Sequence, residues 1–431
     1  MTRFHSVRLD TDKCKGCTNC LKHCPTEAIR VRGGRAHIID ERCVDCGECI
    51  RICGYHAKVA MTDKLEDIFQ FEHRIALPAP TLYGQFRHLS DVGLVLDALL
   101  SIGFTGVYEV ARGADVATKA IHDRLRQPGR LKPLISSACP TITRIIQVRF
   151  PTLIPHIIDV RQPMEIAASL ARTEYVRQHG CAPEEVGVFF ITPCAAKMTA
   201  IRNPIGHERS AINGAIAITD VLNKLLPYVT GAKAPQHHTR ATPYGIGWAS
   251  SGGEVDAAIP RNSMAVDGID NVIRVLEEVE DGKLNDIDYF EGAACPGGCV
   301  GGPLTYANNY LAQNTITTLK KAMPEQHPLK SVTGADMNTV PLYFDRSISQ
   351  NQSLKLDDNI NDALDRMAQM DEIMSRLPGY DCGSCGSPTC RTFAEDIVRG
   401  YCTEIDCIHI LKNRLKVMAQ QMVDLAQNSR E

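Results

Sequence analysis

Two stretches of the chain carry four cysteines each at one spacing. Cys14, Cys17, Cys20 and Cys24 read C-x2-C-x2-C-x3-C ahead of Pro25, and Cys43, Cys46, Cys49 and Cys53 repeat it ahead of Gly54. Three thiolates in one tight loop reach three corners of an iron–sulfur cubane, and the fourth corner is supplied by the other copy. One [4Fe-4S] cluster is therefore expected on Cys14, Cys17, Cys20 and Cys53, and a second on Cys43, Cys46, Cys49 and Cys24. Paired C-x2-C spacings also suit zinc, but the duplicated quadruplet and the proline favour iron–sulfur. Between the copies, Ile29–Ile39 with Gly33-Gly34 predicts a short hairpin.

The chain has 431 residues and eighteen cysteines, too long to need disulfide staples and too sparse in cysteine for a disulfide scaffold. Its length suggests about three domains. A net charge of −3 gives no footprint for nucleic acid. No apolar run reaches the ~18 residues of a membrane span, Leu94–Leu100 being broken by Asp97. The first residues lack the apolar segment of a secretory signal. The expectation is a cytoplasmic protein that binds neither nucleic acid nor membrane.

Residues 73–330 alternate apolar runs such as Val186–Ile191 with helical patterns such as Val92–Ile102 and Val221–Leu226, which predicts an α/β domain. Three short loops there carry cysteine, each after an apolar run: Ser136-Ser137-Ala138-Cys139-Pro140, Thr192-Pro193-Cys194, and the Gly/Pro-rich Glu291–Pro303 with Cys295, Gly297, Gly298 and Cys299. Loops at strand ends are where α/β folds place their sites, and glycine lets backbone approach a bulky ligand. Four thiolates spread over 160 residues are not a zinc finger; they fit one cluster at the junction of two lobes. Unrelated buried cysteines are the plainer alternative for the first two loops.

Residues 377–431 hold a last set, Cys382, Cys385, Cys390 and Cys407, spaced C-x2-C-x4-C-x16-C. It is read as a third accessory [4Fe-4S] site, with zinc as the alternative. Cys181 and Cys402 fit no set and are expected to be spare thiols. The preceding stretch, 331–376, is expected to be a linker followed by an amphipathic helix with Ala363, Met367, Met370, Met374 and Leu377 on one stripe. In the last helix, Ile408, Leu411, Leu415, Met418, Met422 and Leu425 step by three and four, a short heptad seam. Packing on its own domain is the expectation for this helix, with a homodimer or signalling-partner seam as the sharper alternative.

Residues 1–72 resemble a bacterial two-cluster ferredoxin. Residues 1 to about 325 resemble [FeFe]-hydrogenases, most specifically in the third loop. The small C-terminal module is similar to four-cysteine [4Fe-4S] modules of anaerobic electron-transfer proteins. The resemblance implies a two-lobed α/β H-domain between a small α+β ferredoxin domain and a small helical cluster domain. It implies that Cys139, Cys194, Cys295 and Cys299 hold the [4Fe-4S] half of the H-cluster. Cys299 would bridge to a diiron unit carrying CO, cyanide and azadithiolate, where H2 is made or split. It also implies that Lys197 and Thr81, the latter in place of a usual serine, hydrogen-bond the cyanides. The implied partners are H2, protons and a redox protein such as a ferredoxin.

The sequence departs from the catalytic pattern at the proton path. Ala138 stands where relatives carry the proton-relay cysteine, Thr192 and Ala293 replace methionines, and alignment on Gly113-Ala114-Asp115 puts Ile121 and Arg124 where relatives carry two glutamates. A positioned acid/base contributes roughly 10²–10⁴ in rate. The chain is thus expected to oxidise H2 reversibly but slowly, in the manner of the sensory branch. A fully catalytic enzyme using another proton route, and an electron-transfer or scaffold protein lacking diiron, are the alternatives.

Overall fold

The structure is a computed structural model that describes residues 4–231 and 234–428. The chain divides into two compact units: one of residues up to Val7, Val44–Gly47 and Ala60–Asn351, the other of Arg8–Cys43, Glu48–Val59 and Gln352 onward.

The first unit is an α/β structure built on two parallel sheets. In one, His73–Pro78 and Val186–Thr192 are the central strands, flanked by Gly106–Val107 and Gly214–Ala217. In the other, Tyr289–Ala293 lies between Ser263–Asp267 and Leu134–Ile135. All seven residues of Val186–Thr192 are buried, as a strand covered by helices on both faces requires. Parallel pairing has one consequence for function: within each sheet, the carboxyl ends of all strands share one edge. The segments carrying Thr81, Cys139, Cys194 and Cys295 each leave a strand at such an end.

The Val110–Leu125 helix buries Val110, Ala114, Ala117 and Ile121, a stripe of period 3.6. It packs closely on Pro163–His179, whose proline occupies the first helical turn. At Gly113 a β-carbon would sit 2.3 Å from the Pro163 carbonyl oxygen, so the two helices approach backbone to backbone.

The expected linker is only partly one. Residues 331–351 lie in the first unit, and Val332, Val340 and Leu342 are buried in its core. Periodicity did not show this, because a segment folded as short turns against a core, here with Pro341 in it, needs no regular repeat.

In the second unit, Ile29–Arg32 and Arg35–Ile38 form the antiparallel hairpin around Gly33-Gly34, with Ile29 opposite Ile38. The helix Ile360–Arg376 buries Met370, Ile373 and, just past its end, Leu377 against Phe393 and Ala394 of Cys390–Val398. Its first two turns are free of that core: Met367 is exposed, so the stripe is shorter than its sequence pattern. The final helix, Ile408–Asn428, packs on its own domain only through its first turn, where Ile408 and His409 line the C-terminal cysteine cavity. Ile408, Leu411, Leu415, Met418, Met422 and Leu425 are all exposed, and Ile410, near the helix start, touches the small core. Among the described residues no helix is long and apolar enough to cross a membrane.

Candidate hydrogen-activating site

The strand-end loops of the first unit enclose a cavity of about 90 Å³. Cys139, Cys194, Cys295 and Cys299 are all on its wall, together with Lys197 and Thr81. Cys139 and Cys194 each immediately precede a helix, Pro140–Arg149 and Ala195–Arg202, so both thiols sit where partly positive helix starts face the cavity. Cys194 is further held by Thr192, whose hydroxyl donates to the Cys194 carbonyl and accepts from its amide, both at 3.1 Å. Gly298 has φ +89, and a β-carbon there would meet the Ser251 amide nitrogen at 2.4 Å, so only glycine lets the third loop turn into the cavity.

The donor set fits an anionic metal group. Burial pushes the Cys194 thiol up to about 12, and burial also raises Cys139. Thiols this enclosed are held as thiolates by a bound metal. Lys197 Nζ lies 3.6 Å from Cys299 Sγ. Burial lowers the lysine's pKa, but the sulfurs of Cys299, Cys194 and Cys139 outweigh it, and the net shift is upward. The hydroxyls of Thr81 and Ser250 are buried without a partner among the described residues, donors that an acceptor in the cavity would satisfy.

Ala138 also lines the cavity, as does Ala293; Ile121 and Arg124 do not. Ile121 is buried in the helix core, and Arg124 grips Asp159 through two bonds of 2.8 and 2.7 Å. What the sequence reading missed is a pair of carboxyls on the cavity wall, Glu254 and Glu291. Tyr289 Oη donates to Glu254 Oε1 at 2.5 Å and Ser136 Oγ to Oε2 at 2.7 Å, while Ser136 Oγ accepts from the Ala138 amide at 3.1 Å. Glu291 accepts from the amides of Gly252 and Val255. Burial pushes Glu254 up to about 7, and burial plus the charge of Glu254 pushes Glu291 up to about 8. A carboxylate inside the apolar strand Tyr289-Phe290-Glu291 was the available signal.

In the second unit, Cys20 is buried, and burial raises its pKa, with the charges of Cys17, Cys14 and Cys53 adding to the rise. The duplicated sequence shows in the backbone: Ala28 N–H donates to Cys24 Sγ at 3.2 Å and Ala57 N–H to Cys53 Sγ at 3.3 Å. Such bonds favour the charged sulfur and tune cluster potentials. Cys24, Cys43 and Cys49 belong to this unit and Cys46 to the first. Cys382, Cys385, Cys390 and Cys407 face one another across a single small cavity, of which Cys402 is not part. Cys181 lies at the edge of the first unit's core, its sulfur grouped with His73 and Glu185.

A parallel α/β unit whose strand ends gather four thiols and a lysine, in a chain that also carries duplicated cysteine quadruplets, defines an iron–sulfur redox protein. The comparisons narrow the class. The profile of the iron-only hydrogenase large subunit, C-terminal domain, matches residues 72–261 and 228–303, more than half of the chain. The chain belongs to that family. A 4Fe-4S dicluster domain matches 6–54 and an Fe-S cluster family 377–409. The periplasmic [Fe] hydrogenase large subunit of Nitratidesulfovibrio vulgaris is 28% identical over 214 residues, 45% of this chain and 51% of that one. Iron hydrogenase 1 of Clostridium pasteurianum is 23% identical over 375 residues, 70% and 65% of the two chains. The chain thus spans about half to two thirds of the length of these relatives. The solved [FeFe]-hydrogenase HydA1 of Chlamydomonas reinhardtii, as a variant, shares the fold with a TM-score of 0.50 at 13% identity, covering 65% of this chain and 93% of that one.

Proposed function

We propose that the chain binds H2 and catalyses H2 ⇌ 2 H⁺ + 2 e⁻ slowly, serving as an H2 or redox sensor. The observation that carries this reading is the convergence on one cavity of four thiols, Lys197 and the Thr81 hydroxyl, which is buried without a partner among the described residues. Cys139, Cys194, Cys295 and Cys299 would hold the H-cluster, and the diiron unit, when bound, supplies the site where the H–H bond is made or broken. Lys197 and Thr81 would orient its anionic ligands by charge and hydrogen bond. Three accessory [4Fe-4S] clusters, on the sets of cysteines assigned from their spacing, would carry electrons to and from a redox partner such as a ferredoxin. A cytoplasmic location belongs to the same proposal.

Ala138 can neither donate nor accept a proton through its side chain, which supports low turnover. A specific observation favours the second reading, a working enzyme with another proton route. Glu254 sits on the same wall with Ser136 between it and the Ala138 backbone, and its raised pKa suits it to hold a proton near neutral pH.

An anaerobic infrared spectrum of the protein matured with the diiron unit, before and after H2, tests the site. CO and cyanide bands that shift with H2 are expected. Their absence with iron–sulfur clusters intact and maturation controls working favours the electron-transfer or scaffold alternative. Turnover with an artificial electron donor then separates the two readings. Ala138→Cys is expected to raise the rate only in part, and a loss of roughly 10²–10⁴ in Glu254→Gln would favour the carboxyl route.

A further inference from the structure

The ferredoxin-like hairpin and the C-terminal four-cysteine module lie in one unit and grip each other. The Val31 amide donates to the Gly386 carbonyl at 2.9 Å, so the Ile29–Arg32 strand gains a rung from the loop next to Cys385. Gly386 has φ +81, and a β-carbon there would lie 1.8 Å from the Val31 oxygen, an approach that excludes every other residue. Arg32 donates to the Cys385 carbonyl at 2.6 Å, to Ser387 Oγ at 2.9 Å and to Asp396 at 3.0 Å. Arg30 Nε donates to the same Asp396 carboxylate at 2.6 Å, with both side chains under a tenth exposed. Glu27 accepts from Thr392 Oγ1 at 2.5 Å. A charge pair held by this many directional bonds out of water has one orientation.

The contact falls beside thiols of both sets. Gly383, between Cys382 and Cys385, lies against Leu21 and Lys22, and a β-carbon on it would meet their side chains at 3.3 and 3.2 Å. Leu21 and Lys22 directly follow Cys20. Lys22 and Arg32 are thus cations beside the C-terminal thiols, Lys22 acting on Cys382 and Arg32 on Cys385.

We propose that the cluster on Cys382, Cys385, Cys390 and Cys407 exchanges electrons directly with the one on Cys14, Cys17, Cys20 and Cys53. The C-terminal module is then a fixed terminal of the chain's own electron route. This rests on the cluster assignments of the proposed function. In the step, one cluster is oxidised by one electron and the other reduced by one; no bond forms or breaks and no proton moves. Lys22 and Arg32 favour the more negative, reduced form on either side of the contact.

The test uses the full chain carrying its iron–sulfur clusters, followed by electron paramagnetic resonance during stepwise anaerobic reduction. The C-terminal cluster's signal is expected to broaden as its neighbour becomes paramagnetic. It should sharpen toward an isolated signal in Arg30→Glu/Arg32→Glu at unchanged iron content. A wild-type C-terminal signal indifferent to the reduction of every other cluster would overturn the proposal and leave the assignments standing. Iron content lacking the C-terminal cluster would overturn the assignment and the proposal together. Should the double variant fold poorly, Lys22→Glu, at an exposed position, gives the same answer. Both clusters' midpoint potentials are expected to fall, and an unmoved C-terminal potential overturns the direct link.

Discussion

Glu254 has both carboxyl oxygens occupied, by Tyr289 and Ser136, and almost no water around it. Its pKa rises from the ordinary carboxyl range to about 7, and that of Glu291 to about 8. The folded chain therefore binds these protons more tightly than the unfolded chain. The pair's contribution to stability is therefore fully present below about 4.5, the ordinary carboxyl value, and is lost as pH rises through about 7 to 8. Glu254→Gln should flatten this loss, which we expect to be about 1–3 kcal/mol, given that a tenfold difference in proton affinity is worth about 1.4 kcal/mol. Anaerobic denaturant midpoints across the range measure it, and a wild-type profile as flat as the variant's would show that neither carboxyl holds its proton this tightly.

At the scale of elements, the Val110–Leu125 helix supplies Ala114 to the cavity wall and depends on its close crossing with Pro163–His179. Gly113→Ala forces a methyl against the Pro163 carbonyl and should destabilise the first unit by about 1–3 kcal/mol, read as a lowered denaturation midpoint. The Ile408–Asn428 helix is the opposite case: beyond its first turn its apolar seam is exposed among the described residues. A heptad seam is stabilised by a second helix. Leu415→Lys/Met422→Lys, both at exposed positions, tests the seam by light scattering: a fall in mass, with a lower thermal midpoint as the covering helix is lost, marks it as a self-association site. A chain that is monomeric before the change would remove the seam as a self-association site.

For the whole molecule, the cysteines sort by where the fold gathers them. Anaerobic iron analysis should find one cubane fewer in Cys390→Ala, whose sulfur faces the C-terminal cavity. Cys402→Ala should lose no iron, since Cys402 lies off that cavity. Cys181→Ala should lose none either, its sulfur being at the edge of the first unit's core.

Local patterns were legible in the sequence. The duplicated quadruplets, the hairpin at Gly33-Gly34, the strand Val186–Thr192 and the loop glycines each depend on residues a few positions apart, where spacing and backbone sterics decide. The parallel sheets then supplied what no local pattern states. By placing strand carboxyl ends on common edges, they brought Thr81, Cys139, Cys194, Lys197 and Cys299 to one cavity. They also brought Glu254 and Glu291 to its wall, two carboxyls that no spacing rule connects. Residues 331–351 joined a core because burial answers to neighbours in space, whatever their separation along the chain. Which side chains are able to ligate metal is written in the order of residues. Which of them meet is a matter of folding, since the pKa of a buried carboxyl and the partner of a buried arginine depend on the groups packed around them.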